Sequence, residues 1–395
     1  MNSQGPVKRL LVIVPDRLSD IADKGEVQAA YYNPGELFDE VHILMTNDDR
    51  PPIEPLQYMV GRAKLHIHNY PDDLNLVAKH HRLLTPFRLK KWAKGGIEIA
   101  RRIAPSMIRC HGVDWNTYLA SRINKALGIP YVTSIHINLD ENPNRRFKGG
   151  NLTPAQEQQN AFYEYLESEA LKRAHLVMPV YKPILPYLAR KGISRVEVCY
   201  NILDGANLKE KTDYRINGPA RLIYVGRLFA EKDPSNIIRA VAAMPDVHYT
   251  IVGDGPLRPK LEELVRQLGV GDRVTFRPVV FNAELCRMLP EYDLFVIHTE
   301  YFEIGKSLLE GLLAGLPVVM NARQGQPVPE LQNGIVKLVA NTVEDYGKAI
   351  RELLASEDRR AALGRGAYRK AQEEYAPAVT ERKVVGIYKS ILERT

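Results

Sequence analysis

The chain has 395 residues, with 54 Lys and Arg against 47 Asp and Glu, for a formal charge of +7. That length exceeds the roughly 250–300 residues at which one hydrophobic core stops growing, so two domains are expected. Hydrophobic residues at 45% and charged residues at 26% exclude a disordered chain, and three widely spaced cysteines, Cys110, Cys199 and Cys286, exclude a disulfide framework or a C-x-x-C motif.

In chain order, the first apolar run, Leu10–Val14, is too short for the core of a signal peptide and is followed by Asp16 and Arg17. No stretch nears the ~18 apolar residues of a spanning helix. A soluble cytoplasmic chain is expected, at most peripheral on the inner face of a membrane. Arg9–Val14, Val41–Met45, Lys64–His68, Met107–Cys110, Tyr131–Ile135 and Leu176–Val180 read as strands. So do Leu222–Val225, His248–Val252, Arg273–Phe276, Leu294–Ile297, Pro317–Met320 and Ile335–Leu338. Apolar runs of this kind suit strands buried on both faces, and helix-period stretches between them imply parallel βαβ units. Asn201–Pro219 has no sustained period and reads as a linker. The expected division is an N-terminal Rossmann-like domain over 1–200 and a C-terminal one over 201–376. An amphipathic helix over 377–395 would then cross back to the first.

The basic excess is local. Lys79, Arg82, Arg88, Lys90, Lys91, Lys94, Arg101 and Arg102 stand with one acid, Glu98, and this segment carries the whole net charge. Thr85-Pro86 reads as an N-cap and first helical residue, opening an amphipathic helix weakened by Gly95 and Gly96. Its cations either sit in water or meet an anionic surface such as lipid head groups. No zinc-finger or RNP-like pattern supports nucleic-acid binding.

Three segments of the second half point to chemistry. In YVGRLFAEK, a strand ends at Val225, and Arg227 and Lys232 follow at a spacing that suits a diphosphate. Solvated surface cations are the ordinary alternative. In IVGDGPLR, Gly253 and Gly255 permit a tight turn and close backbone approach, but G-x-G-x-x-G is absent. In HTEYFEIGKSLLEGLLAGLPVVM, a helix starts near Lys306, where free N–H groups can take phosphate oxygens. Glu310, one turn further, can accept from a ribose diol, or is simply a solvated helical Glu.

Together, in this order and spacing, the three segments resemble the donor-binding half of glycosyltransferase family 4. The resemblance implies a GT-B architecture: two doubly wound α/β domains facing across a cleft. It implies a retaining transfer from a nucleoside-diphosphate sugar, with the donor as substrate, no cofactor and no obligate metal. Arg227 and Lys232 would hold the diphosphate, Ile304, Gly305 and Lys306 would line the helix start, and Glu310 would hold the ribose. The family's carboxylate motif is Glu, seven residues, Glu. Here Phe302 stands eight before Glu310, so the first Glu is displaced. Glu303 is the expected donor-sugar contact, with Glu300 the alternative. By the same resemblance Gly25, in Lys24-Gly25-Glu26, replaces a Gly-Gly turn on the donor side. His136, after its strand, would contact a sugar hydroxyl in the transition state, and His111 is a lesser candidate. The acceptor stays unidentified, with lipid-linked or cell-envelope glycans as the classes the family suggests. The broken motif leaves two other readings open: a GT-B epimerase or hydrolase, and a non-catalytic sugar-nucleotide binder.

Overall fold

The structure is a computed structural model and describes residues 7–23, 27–72, 85–142, 145–301, 303–323, 327–332 and 334–394. The chain divides into two compact units, residues 1–200 with 381–395, and residues 201–380.

In the first unit, β1 (Arg9–Val14), β2 (Glu40–Met45), β3 (Lys64–Asn69), β4 (Met107–His111), β5 (Tyr131–Ile135) and β6 (Leu176–Pro179) form one parallel sheet. Its order is β3-β2-β1-β4-β5-β6. Strands β4 and β5 are buried along their whole length, although they carry the polar residues Arg109, His111, Thr133 and Ser134 among their apolar ones. The order reverses between β1 and β4, making a switch point at the sheet's carboxyl edge.

The second unit repeats the plan. β7 (Ala220–Val225), β8 (Val247–Val252), β9 (Val274–Arg277), β10 (Leu294–Ile297), β11 (Val318–Asn321) and β12 (Lys337–Val339) are parallel, in the order β12-β11-β10-β7-β8-β9. Here the reversal falls between β7 and β10. Residues 201–219, before β7, contain no helix or strand.

The basic segment forms helix Thr85–Ile103, with Lys79 and Arg82 outside the described residues. Thr85 is the first helical residue rather than the cap. Leu89, Ala93, Gly96, Ala100 and Ile103 are buried at helical spacing. The two glycines do not weaken the helix; they let it approach its neighbours. A Cβ on Gly96 would stand 2.6 Å from the Leu119 side chain, and one on Gly95 2.7 Å from the Tyr70 hydroxyl. The apolar stripe is therefore consumed in packing, while Lys90, Lys91, Lys94, Arg101 and Arg102 remain exposed. Phe87, at the helix start, is 68% exposed.

The last helix, Pro377–Leu392, begins in the second unit and ends in the first. Tyr388 is buried and meets Phe38 edge-on, with centroids 6.3 Å apart. Glu381 accepts from the Gly35 N–H at 2.9 Å, and Lys383 pairs with Glu197 at 3.3 Å. Among the described residues, no helix is long and apolar enough to cross a membrane.

Candidate active site

The loop after β7 carries both predicted cations. Tyr224 is buried within β7, and its hydroxyl donates to the carbonyls of Arg227 at 3.3 Å and Lys232 at 3.0 Å. One side chain thus fixes the backbone at both cationic positions. Arg227 is exposed, with its guanidinium 5.0 Å from the Phe229 ring centroid. Lys232 is drawn inward: its Nζ lies 2.7 Å from Glu303 Oε1 and 5.3 Å from the Tyr301 ring centroid.

The two glycines of the loop after β8 have a steric role. Gly253 has φ +139°, and a Cβ there would lie 2.0 Å from the Gly226 carbonyl oxygen. Gly255 has φ +155°, with 2.5 Å to the Leu228 carbonyl oxygen. Only glycine allows this loop to nest against the cation-bearing loop.

The loop after β10 runs into helix Lys306–Leu313, with Gly305 as its N-cap residue. Ser307 Oγ donates to the Val225 carbonyl at 3.0 Å, tying the helix start to the end of β7. A helix start presents N–H groups with no acceptor inside the helix, and here they begin at the switch point. Ile304 is buried at 2% exposure, so its side chain belongs to the core. A Cβ on Gly305 would meet open space, so that glycine is not sterically required. Glu303 faces Lys232, whereas Glu300 turns to His298, with its Oε1 3.0 Å from Nε2. Burial, opposed by Glu300, holds the His298 imidazole below its ordinary pKa. Glu310 is 3% exposed and accepts from the Asn282 amide. It is a buried, bonded carboxylate and not a solvated helical one. Phe302 and Gly25 lie outside the described residues.

In the first unit, His111 ends β4 and His136 follows β5, with ring centroids 6.3 Å apart. The His111 Nδ1 lies 3.4 Å from the Tyr31 hydroxyl, and the Tyr181 hydroxyl donates to the His136 carbonyl.

Two supporting residues escaped the sequence. Asn321, at the end of β11, accepts from the Thr299 N–H and donates to the Thr299 carbonyl, both at 2.9 Å. Arg323 donates to the carbonyls of Tyr301 at 3.1 Å and Glu303 at 3.4 Å. Burial pushes its guanidinium down to about 10. Their signal was positional: both sit at the carboxyl end of a strand, as Arg227 does.

Residues 208–370 match the family model for glycosyl transferases group 1. The chain is 26% identical over 334 residues to the alpha-D-kanosaminyltransferase of Streptomyces kanamyceticus, spanning 76% of this chain and 83% of that one. It is 23% identical over 304 residues to the 2-deoxystreptamine glucosyltransferase of the same organism, spanning 72% and 73%. The crystal structure of Anabaena HepE in complex with UDP and glucose superposes with a TM-score of 0.69 at 15% identity, over 97% of this chain and 100% of that one. Fold and neighbours define the class, a GT-B protein of two Rossmann-type units. The match over residues 208–370 falls in the second unit, which is where the chain is similar to glycosyl transferases group 1.

Proposed function

We propose that the chain moves a sugar, with retention of configuration, from a nucleoside-diphosphate sugar bound by the second unit to a carbohydrate or glycolipid acceptor. The observation that carries this reading is the Lys232–Glu303 pair, 2.7 Å apart between the loops after β7 and β10. A departing diphosphate gains negative charge as the sugar–phosphate bond breaks. In this reading Lys232, Arg227 and the amides at the start of helix Lys306–Leu313 receive that charge, the kind of stabilisation that usually dominates catalysis. Glu303, held by Lys232, is assigned to the donor sugar. Glu310, desolvated and oriented by Asn282, is assigned to the ribose. His136 is the first unit's candidate for a sugar hydroxyl. The donor is a substrate here, and the fixed cations supply the charge that a metal supplies elsewhere.

A thermal-shift screen of the full chain against nucleoside-diphosphate sugars tests this reading, beginning with uridine nucleotides because HepE binds UDP. One donor is expected to raise the unfolding midpoint, since a ligand at a hundred times its Kd stabilises by about 2.7 kcal/mol. No shift with any donor, and no diphosphate released in the presence of candidate acceptors, would overturn it.

We assign the exposed cationic face of helix Thr85–Ile103 to an anionic lipid surface. Exposed Phe87 beside a row of lysines and arginines supports this assignment. Co-sedimentation with vesicles is expected to require anionic lipid and to fall with salt. Equal partitioning to neutral vesicles refutes it.

A further inference from the structure

The first unit holds a cluster of histidines that the transfer chemistry does not use. Strands β2 and β3 pair in parallel, with Glu40 opposite Lys64, His42 opposite His66 and Leu44 opposite His68. Because side chains alternate along a strand, Glu40, His42, His66 and His68 all emerge on one face of the sheet. The His42 and His66 rings stack 4.3 Å apart, and the His42 and His68 rings 5.3 Å apart. His42 is 7% exposed, and its Nε2 and that of His66 are buried with no hydrogen-bond partner. One ligand atom from each of Glu40, His42 and His66 lies within 4.8 Å of the other two.

Simple packing does not account for this arrangement. An apolar stack would fill the space without stranding two ring nitrogens, and an unsatisfied buried polar atom costs about 1–3 kcal/mol. The carboxylate does not satisfy His42 either, since Glu40 Oε2 lies 3.6 Å from its Nε2, beyond hydrogen-bond range. The far side of the His42 ring is supported: its Nδ1 lies 3.1 Å from His68 Nε2. A proton on Nδ1, donated to His68, leaves the Nε2 lone pair directed at Glu40 and His66. Metal-bound histidines are commonly held this way, by an outer partner on the second nitrogen.

We propose that Glu40, His42 and His66 form a binding site for a divalent transition metal, zinc-like in its taste for two imidazoles and a carboxylate, with His68 positioning His42. Imidazole nitrogens suit zinc, copper, iron and nickel, and a third, oxygen ligand leaves one position for water. Two nitrogens at 2.0–2.1 Å from a tetrahedral ion stand about 3.4 Å apart, so binding tilts the stacked rings toward each other. Arg9 Nε holds Glu40 Oε2 at 2.7 Å, which fixes the carboxylate beside His42 Nε2. Glu40 opens β2 and His42 is its third residue, so the site lies toward the amino end of the strands. The predicted transfer residues lie at carboxyl ends. The metal would clamp edge strand β3 to β2 and take no part in sugar transfer.

The test uses the tag-free full chain, stripped with chelator, reloaded with Co2+ and dialysed. One equivalent of bound cobalt with visible d–d absorption, displaced by Zn2+, is expected. Glu40→Gln and His66→Gln should each lose that equivalent while keeping the far-ultraviolet dichroism of the parent. His68→Gln should retain the site with about 10–100-fold weaker affinity. Should His66→Gln fail to fold, Glu40→Gln, at the start of its strand, decides alone. No cobalt retained by the parent, or equal retention by the parent and Glu40→Gln, overturns the proposal.

Discussion

Lys232→Ala is expected to lower kcat for sugar transfer by about a hundred- to a thousand-fold, the usual loss when one fixed donor to developing charge is removed. Arg227→Ala should act in the same direction. The effect belongs to placement. Tyr224 fixes the backbone at both positions from below, and Glu303 holds the Lys232 ammonium at 2.7 Å. Arg227 is exposed, whereas the Lys232 side chain is 15% exposed and lies beside the Tyr301 ring. Loss of turnover should therefore come with an unchanged unfolding midpoint for Arg227→Ala and a modest fall for Lys232→Ala. Glu303→Ala separates two roles for the carboxylate. If Glu303 only tempers Lys232, the variant binds the free nucleoside diphosphate as tightly as the parent or more so, and retains transfer. If Glu303 holds the sugar, diphosphate affinity survives and kcat falls. Full transfer by Lys232→Ala, measured at saturating donor, would remove the clamp from the mechanism.

Gly253→Ala is expected to be the most damaging single methyl group in the second unit. At φ +139° the new Cβ would sit 2.0 Å from the Gly226 carbonyl oxygen, a backbone atom that cannot rotate away. Backbone strain and overpacking each cost about 1–3 kcal/mol, so the urea midpoint of the full chain should fall by the equivalent of about 2–6 kcal/mol. The loop after β8 would also push the loop after β7 out of register with helix Lys306–Leu313, so nucleotide affinity should fall with it. Gly305→Ala is the internal control, since its Cβ meets open space. A Gly253→Ala midpoint equal to that of the parent would show that the two loops do not nest as described.

The strands were legible because parallel strands covered on both faces need apolar side chains at nearly every position. RLLVIV and LFVI could hardly be anything else, and their bounds match β1 and β10. The start of helix Lys306–Leu313 was legible too, from local chemistry. Pairings between distant segments were not. Lys232 and Glu303 are 71 residues apart, and nothing in either neighbourhood announces the other. The Asn321 brace on Thr299 is hidden for the same reason. In the first unit, KLHIH read as a strand, but the meaning of its histidines depends on their register with Glu40 and His42. Register is set by packing across the whole sheet and leaves little trace in one strand. Gly95 and Gly96 read as weaknesses because propensity scales describe an isolated helix, whereas here they are points of close approach.

The C-terminal helix sets an order of events during synthesis. Domains generally fold as they emerge, the N-terminal one first. Yet the first unit's Phe38 is covered by Tyr388, its Gly35 N–H is bonded by Glu381, and its Glu197 is paired with Lys383. Those partners are synthesised only after the whole second unit has been made. The nascent first unit must wait through that interval with an apolar face uncovered, so the unit begun first is completed only once the second exists.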